Sequence, residues 1–589
     1  MDDILLQVNK PGRYIAGEWN SITKDFANSQ VKFAICFPDL YEVGMSNLGI
    51  RIIYGLLNSI PDVACERFFS PAQDMENHLR KLGQEICSLE SKKKMSDFDM
   101  VGFSLGSELL YTNVLNLLDL GGIPLKARLR TNADPLVIGG GPCALNPEPM
   151  HEFFDLFIIG EAEKALLEVI EAYRSNKAGF KASKISRQDL LFILSGIKGV
   201  YVPSFYEARH HPSGLLEKFH PVIEGAPDKI NKRIVEDFNS SFFPCDWIIP
   251  YLQIVHDRIS LEIMRGCPNR CRFCQSRSQY FPYRQREVGT AVNLAKQAFV
   301  KTGYEEIALS GLSVSDFRGI EELSQELVSF FKEKAVAVSL PSIKAKIAVG
   351  NISSMIASIK KTGLTFAPEA GTDALRSIIA KDFNEQDFFR VLEEAFLSGY
   401  RLIKLYFMIG LPCEKKEDLD SIIGFSLATS EARKKLKKNP ALVNISINTL
   451  IPKPHTSLQW LDMIGIDQIR EKQDYLKEKS KNNRLKLSFH DRYMSFVEGV
   501  LSRGDRRLSE VIYRAFLRGA RFDAWMSHFS FEKWVGAFKE TGIDPEFYLR
   551  KKSQEEALPW DFISVGIDKN NLKAEYNKVL AIERDKGYN

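Results

Sequence analysis

Three cysteines, Cys267, Cys271 and Cys274, lie within eight positions of a 589-residue chain that has nine cysteines in all. Their C-x3-C-x2-C spacing brings three thiolates into one short loop. Thiolates are the ligands of iron–sulfur clusters, and three of them can hold three irons of a cubane while the fourth iron stays open. An open iron can bind a further molecule, so we expect the chemistry of the chain at this loop.

A zinc site is the main alternative for the same cysteines. A structural zinc ion needs four ligands in close spacing. The next cysteine downstream is Cys413, however, and the nearest histidine upstream is His256. The spacing therefore favours an iron–sulfur cluster over zinc.

The run Arg265-Gly-Cys-Pro-Asn-Arg-Cys-Arg-Phe-Cys-Gln275 resembles the signature of the radical S-adenosylmethionine (SAM) superfamily. The shared features are the cysteine spacing, the Arg-Gly before it and Phe273 between the last two cysteines. The resemblance implies a [4Fe-4S] cluster whose free iron is chelated by SAM and whose electron cleaves SAM to a 5′-deoxyadenosyl radical. It also implies a small electron donor such as flavodoxin or ferredoxin.

The composition is that of an ordinary globular protein, with 44% hydrophobic and 26% charged residues. At this length the chain should divide into about three or four domains. Basic and acidic residues number 79 and 75, so charge does not indicate nucleic acid or an anionic membrane as a partner. A signal-peptide pattern is not evident, nor is an apolar run of about 18 residues, which predicts a cytoplasmic protein.

Short apolar runs alternate with helical patterns between residues 31 and 175. Apolar strands separated by helices are typical of a parallel sheet covered on both faces. The pattern predicts an α/β fold that begins with a doubly wound, Rossmann-like domain. Ligands of such domains bind beyond the carboxyl ends of the strands.

Glycines and small polar residues follow these predicted strands, where they would let a backbone approach a large cofactor closely. They are Gly44, Ser104, Gly139, Gly140, Gly141, Gly160 and Glu161. Placed directly before the cysteine motif, this arrangement resembles the cobalamin-binding domain of B12-dependent radical SAM proteins. The Asp-x-His-x-x-Gly signature is missing, so cobalamin would bind without a protein histidine on cobalt. A Rossmann-like domain without cobalamin stays open as the alternative.

From residue 258 onward, six apolar segments are separated by helical patterns and are predicted to be strands. They lie at 259–264, 305–310, 335–340, 363–367, 401–407 and 441–450. Six strand–helix repeats resemble the partial (β/α)6 barrel of radical SAM enzymes, with the cysteine loop after the first strand. Active residues of β/α barrels cluster at the carboxyl ends of the strands.

Several residues at those ends are candidates for SAM binding. They are Ser310 and Gly311 after the second strand, Glu369 after the fourth, and Gly410 and Pro412 after the fifth. The superfamily's Gly-Gly-Glu element has no glutamate here, so hydroxyls and backbone would contact the SAM amino group. Glu369 could accept hydrogen bonds from SAM or instead cap the helix that follows it. Lys453 and His455, after the sixth strand, could serve the site or be ordinary loop residues.

The predicted domains are an N-terminal extension (1–30), a Rossmann-like cobalamin-binding domain (31–175), a connector (176–255), a radical SAM partial barrel (256–487) and a mostly helical C-terminal domain (488–589). The last domain would cover the open side of the barrel. Its Arg503, Asp505, Arg506 and Arg507 could form a salt-bridged turn or bind a carboxylate or phosphate of a substrate.

The resemblance implies an enzyme that uses SAM and cobalamin to methylate an unactivated carbon, or to perform related radical chemistry. One alternative is a methylthiotransferase with a second cluster, for which Cys36, Cys65 and Cys87 are candidates. Another is a non-catalytic iron–sulfur protein. The substrate and the residues that act on it are not identified by the sequence.

Overall fold

The computed structural model describes residues 2–339 and 363–585. The chain forms two compact units. The first comprises Met1–Asp257, Val500–Tyr548 and Glu555–Gly566, and the second comprises Arg258–Gly499, Leu549–Gln554 and Ile567–Asn589. The predicted C-terminal domain, 488–589, is thus shared between the two units. The predicted domain limits stay a prediction.

A six-stranded sheet forms the centre of the first unit. Its strands are β1 (Val31–Phe37), β2 (Val63–Phe69), β3 (Met100–Ser104), β4 (Leu136–Gly140), β5 (Leu156–Ile158) and β6 (Val200–Tyr201). The spatial order is β2-β1-β3-β4-β5-β6, with β6 antiparallel to β5 and the other pairs parallel. The order reverses between β1 and β3, and such switch points are where doubly wound sheets bind ligands.

Helices cover this sheet and alternate with its strands. They are α1 (Asp2–Leu5), α2 (Tyr41–Gly44), α3 (Leu48–Asn58), α4 (Gln73–Leu82), α5 (Tyr111–Leu120), α6 (Ala162–Lys181) and α7 (Arg187–Ser195). A hairpin of β7 (Tyr206–His210) and β8 (Leu216–Pro221) follows, and then β9 (Ile230–Asn231). The doubly wound prediction for the first domain is confirmed.

The second unit contains two parallel sheets, ordered β10-β13-β14 and β15-β16-β17-β18, and a short antiparallel pair of β11 and β12. The strands are β10 (Ile259–Glu262), β11 (Met264–Arg265), β12 (Arg284–Gln285), β13 (Glu306–Ser310), β14 (Ala337–Ser339), β15 (Leu364–Glu369), β16 (Leu402–Ile409), β17 (Leu442–Thr449) and β18 (Leu485–Phe489). Each predicted strand has a counterpart here, although Leu340 lies outside the described residues.

The helices of this unit follow its strands, as the strand–helix prediction requires. They are α8 (Gln275–Gln279), α9 (Val288–Thr302), α10 (Ile320–Phe331), α11 (Asp373–Ile378), α12 (Glu385–Leu397), α13 (Lys416–Lys435) and α14 (Ile466–Lys479). The C-terminal part is mostly helical, with α15 (Arg492–Ser502), α16 (Leu508–Leu517), α17 (Phe531–Thr541), α18 (Glu546–Leu549), β19 (Ile563–Ser564) and α19 (Lys569–Asp585). The α/β class is confirmed.

Strand β18 was not expected from the sequence. It pairs in parallel with β17 and lies at the edge of its sheet. Its Lys486 and Ser488 are exposed and alternate with more buried Leu485 and Leu487. A half-polar edge strand that follows a lysine-rich helix has too weak an apolar pattern to stand out.

A buried charge cluster attaches the N-terminal extension to the first sheet. Arg67, in β2, donates from Nε to Glu90 at 2.6 Å and from Nη2 to Glu18 of the extension. All three side chains are almost fully buried. Burial alone would lower the pKa of Arg67, but the two carboxylates outweigh it and raise the pKa well above its ordinary value. The extension is therefore fixed by a charge contact inside the protein.

Arg67→Met should lower the free energy of unfolding by about 3–5 kcal/mol, because it leaves two buried carboxylates without their cation. The control is Arg514→Met, which removes an arginine that is 45% exposed and paired at 2.7 Å with Glu510, itself 38% exposed. Exposed pairs contribute about 0–1 kcal/mol. Urea unfolding followed by circular dichroism measures both variants, and equal losses would contradict the stated role of Arg67.

In the part of the chain that the structure describes, we find no helix with the length and apolar character needed to cross a bilayer.

Candidate functional site

The cysteine loop begins directly after β11 and ends where α8 starts. Gly266 opens the loop with a φ of 78°, and a Cβ at this position would lie 2.7 Å from the carbonyl oxygen of Tyr280. Glycine is therefore required both by the backbone conformation and by the space. At the other end, the amide of Cys274 donates to the carbonyl of Cys271 at 3.3 Å. The loop is a compact turn.

Arg272 anchors the middle of the loop. Its amide donates to the carbonyl of Ile379 at 3.0 Å, and its Nη1 donates to the carbonyl of Ile378 at 2.5 Å. Its Nε donates to Glu575 of α19 at 2.9 Å. Because Arg272 is itself buried, these contacts hold the residue between Cys271 and Cys274 in place.

The loop after β17 supports α8 from another side. Ser278 Oγ donates to the carbonyl of His455 at 2.6 Å, and Gln275 Nε2 donates to the carbonyl of Pro454 at 3.4 Å. His455 is buried, and Lys453 pairs with Glu498 at 2.8 Å. The loop after β17 thus contacts α8 through the backbone carbonyls of Pro454 and His455.

The three thiols interact electrostatically. Burial raises the pKa of Cys271 to about 11, Lys381 opposes the rise, and negative charge on Cys274, Cys267 and Glu369 adds to it. Burial also raises the pKa of Cys274. Negative charge on neighbouring thiols thus disfavours ionisation of Cys271 and Cys274, and the positive charge of iron would offset this effect.

The donor set fits a cubane better than a single metal ion. Among the described residues, three His, Cys, Asp or Glu side chains nowhere converge on one ion position. In a cubane each thiolate binds a different iron, so the sulfurs need not point at one centre. Cys267, Cys271 and Cys274 are each half-buried.

Glu369 is the last residue of β15 and lies close to the thiols. It has a left-handed φ of 67°, and Lys381 Nζ donates to its Oε1 at 3.2 Å. Burial raises its pKa, and Lys381 acts in the opposite direction. The cap of α11 is Thr372, whose hydroxyl accepts from the amide of Leu375 at 3.3 Å. The capping alternative for Glu369 is therefore wrong.

The loop after β13 reaches the first cysteine. Ser310 ends β13 opposite Glu262, and Gly311 packs so tightly on Met264 that a Cβ would overlap it. Asp316, further along the loop, accepts from Asn269 Nδ2 at 2.9 Å. Asn269 and Asp316 were not among the site residues predicted from the sequence, although an acid shortly after the second strand was a visible signal.

The turn with Gly410 and Pro412 is fixed by its own neighbours. Gly410 has a φ of 78°, and a Cβ there would lie 2.8 Å from Ile464. Glu414 accepts from the amide of Leu411 at 2.9 Å and pairs with Lys472 at 3.0 Å. Burial raises the pKa of Glu414. A rigid backbone is thus presented at the end of β16.

Packing within the chain accounts for most of the glycines predicted to face cobalamin. A Cβ would overlap Phe69 at Gly44 and Phe157 at Gly139, and would lie 3.0 Å from the backbone of Leu105 at Gly141. Gly160 meets the backbone of Arg233, and Glu161 accepts from the amide of Val235 at 2.6 Å. The glycines at these positions and the orientation of Glu161 are therefore explained without a bound ligand.

Gly140 and Ser104 differ from that group. They are paired at the carboxyl ends of β4 and β3. A Cβ on Gly140 would have the carbonyl of Ile158 as its nearest neighbour, at 3.8 Å. Space is therefore available above this strand end.

A segment of the C-terminal part of the first unit lies at the switch point. Trp525 Nε1 donates to Asp39, after β1, at 2.9 Å. The amide of Phe522 donates to Asn113, at the start of α5, at 2.8 Å. Segment 522–525 thus borders the place where a doubly wound sheet binds its ligand.

The arginines near residue 505 are used inside the first unit. Arg506 donates to Glu148 at 2.6 Å and to the hydroxyl of Tyr201 at 2.8 Å. Arg507 pairs with Asp505 at 2.7 Å, and Arg503 donates to the carbonyl of Tyr548 at 2.8 Å. These contacts favour the salt-bridged turn over substrate binding.

Comparisons with known proteins agree with this arrangement. The family model described as "Radical SAM proteins, N-terminal" matches residues 49–203, and the model "Radical SAM superfamily" matches residues 261–426. An uncharacterized protein of Methanocaldococcus jannaschii, MJ0966, is 26% identical over 513 residues, which cover 87% of this chain and 97% of that protein.

Two solved structures are similar at low sequence identity. The radical SAM methyltransferase TsrM from Kitasatospora setae, solved with cobalamin and a [4Fe-4S] cluster, has 14% identity and a TM-score of 0.47, covering 71% of this chain and 74% of that one. The cobalamin-dependent SAM radical enzyme OxsB, solved with aqua-cobalamin and SAM, has 13% identity and a TM-score of 0.46, covering 95% and 81%. Their ligands are properties of those proteins.

Cys271→Ala should abolish most iron binding after anaerobic reconstitution, because the loop then lacks one of its three thiolates. The matched control is Cys87→Ala, which removes another half-buried cysteine. Iron analysis and visible absorption measure the cluster, and circular dichroism checks the fold. A full cluster in the Cys271 variant would contradict the assignment, whereas iron loss in the Cys87 variant would favour the second-cluster alternative.

Proposed function

Since this chain belongs to the radical SAM superfamily and is a radical SAM enzyme, we propose that Cys267, Cys271 and Cys274 hold its [4Fe-4S] cluster. The cluster, when bound, supplies the electron that cleaves SAM to methionine and a 5′-deoxyadenosyl radical. The observation that carries this proposal is the anchored loop, in which three cysteines lie beside Glu369 at the end of a parallel strand. We further propose a flavodoxin or ferredoxin as electron donor and a cytoplasmic location.

The chain's residues would bind and orient SAM. The carboxylate of Glu369 is held by Lys381 through Oε1 and can accept a further hydrogen bond through Oε2. Hydrogen bonds to an ionised acceptor are roughly twice as strong as neutral ones, and a hydroxyl or ammonium group of SAM could supply one. Ser310, Gly311, Gly410 and Pro412 are proposed as backbone and hydroxyl contacts to the same molecule.

Glu369→Gln should retain the cluster but weaken SAM binding and 5′-deoxyadenosine formation by about tenfold, or ~1.4 kcal/mol, because a neutral amide accepts a weaker hydrogen bond. Equilibrium dialysis with SAM and chromatography of the nucleoside product measure these effects. The control is Glu306→Gln. Glu306, which pairs with Arg258 at 2.7 Å, is the first residue of β13, whereas Glu369 is the last residue of β15. Unchanged SAM affinity in the Glu369 variant would refute its role.

The same assay separates catalysis from simple cluster binding. A wild-type protein that carries a full cluster yet forms no 5′-deoxyadenosine with a strong reductant would support the non-catalytic alternative. The methylthiotransferase alternative gains nothing from the geometry. Cys36 and Cys65 lie in the middle of β1 and β2, where complete burial raises the pKa of both thiols well above its ordinary value.

We also propose that the first unit binds cobalamin at the carboxyl edge of its sheet, for methylation of an unidentified substrate. The sheet order with a switch point between β1 and β3 supports this, as does the open space above Gly140. Bound cobalamin would supply the transferred methyl group. Burial lowers the pKa of His151 to about 3, and its Nδ1 contacts Ser509 at 2.8 Å, so this histidine is engaged within the protein.

Gly140→Val should reduce hydroxocobalamin binding at least tenfold without loss of fold, because the added side chain projects into the space where the cofactor would approach. The control is Gly424→Val on α13 of the other unit, where a Cβ would meet nothing within 4 Å. Titration followed by the corrin absorption measures the affinity. Absence of binding to the wild-type chain would refute the cobalamin proposal and leave the first unit as a Rossmann-like domain without this cofactor.

A further inference from the structure

Asn269 lies between the first two cysteines and contacts the sulfur of one of them. Its Nδ2 is 3.1 Å from Cys267 Sγ. The same nitrogen is 2.9 Å from Asp316 Oδ2 and 3.4 Å from Ser313 Oγ. An amide NH2 group has two hydrogens, so it can donate to the sulfur and to the carboxylate together.

Asp316 determines which way this amide points. An ionised carboxylate only accepts hydrogen bonds, so the NH2 side of Asn269, and not its oxygen, faces Asp316 and the neighbouring sulfur. Asp316 is fixed in turn, because Ser313 Oγ donates to its Oδ2 at 2.6 Å and its amide donates to the carbonyl of Ser313 at 2.8 Å. The loop after β13 therefore fixes a donor on a cysteine of another loop.

Cys274 receives its donors in a different way. The backbone amides of Arg277 and Ser276, in the first turn of α8, hydrogen-bond to it and act to lower its pKa, although burial outweighs them. Backbone donors of a helix are present whatever the side chains are. The donor to Cys267, in contrast, is a side chain that a single substitution removes.

We propose that Asn269 raises the reduction potential of the cluster through its hydrogen bond to Cys267, and that Asp316 is the positioning residue that aims this bond. The inference rests on the proposed cluster. Hydrogen bonds to cluster sulfurs help to set the potential of iron–sulfur centres. A donor stabilises the extra negative charge of the reduced state, so its removal makes reduction harder.

The test is a redox titration of the reconstituted, SAM-free protein monitored by electron paramagnetic resonance. Asn269→Ala should lower the ratio of reduced to oxidised cluster about tenfold at a fixed potential, equivalent to about 59 mV for one electron. Asn269→Leu, which keeps the size of the side chain but has no donor, should give the same shift. It also covers the case in which the alanine variant assembles no cluster.

Gln275→Ala is the matched control. Gln275 is also an amide beside a cluster cysteine, but its Nε2 donates to the carbonyl of Pro454 at 3.4 Å. Its loss should leave the potential unchanged. Equal potentials for wild type and both Asn269 variants would overturn the inference while the proposed cluster stood. A wild-type chain that assembles no cluster would instead overturn the proposed function.

A double-mutant cycle tests the part of Asp316. Asp316→Ala removes a negative charge near the cluster, and this direct effect is present whether residue 269 is Asn or Ala. An effect that acts through Asn269 can occur only when residue 269 is Asn. The difference between the shifts in potential measured in the wild-type and Asn269→Ala backgrounds therefore isolates this effect. We expect the shift in potential caused by Asp316→Ala to be less positive when residue 269 is Asn than when it is Ala. Identical shifts in both backgrounds would refute the positioning role.

Discussion

Three thiols that have to lose their protons to bind iron lie in one short loop, and the fold has to hold Cys267, Cys271 and Cys274 in position for that step. Arg272 fixes the middle of this loop to the end of α11 and to α19. The loop after β17 fixes the helix that follows. Because both anchors are distant in sequence, the folded second unit determines the loop geometry. Ligands that the surrounding fold holds in position add less ordering cost to cluster binding.

Local patterns predicted much of this architecture. The cysteine loop, the parallel sheet of the first unit, and the strands that end at Ser310, at Glu369 and directly before Gly410 follow from spacing and from apolar runs. Strand β18 did not follow, because its Lys486 and Ser488 face outward and dilute the apolar signal. Asn269 was also missed. The role proposed for Asn269 depends on its hydrogen bond to Asp316, which forms only when two loops that are distant in sequence come together.

The glycines of the first unit show why composition at a strand end is weak evidence for a cofactor. Gly44 and Gly139 lack side chains because Phe69 and Phe157 occupy the space, and Gly160 because the backbone of Arg233 does. A sequence does not distinguish a glycine that faces a phenylalanine from one that faces a ligand. The folded structure does distinguish them, because it shows which atoms surround each glycine. Of these strand-end glycines, Gly140 is the one with open space above it.

Trp525 provides an intrinsic fluorescence signal from the switch point of the first sheet. Of the six tryptophans, Trp19 and Trp525 are exposed, at 67% and 37%, while the other four are buried. The indole of Trp525 is held by Asp39 at that edge. Emission from a half-exposed indole responds to changes in its surroundings, whereas that of a buried one changes little. Intrinsic fluorescence, compared with a chain in which Trp19 is replaced, therefore reports local events at this edge without any added label.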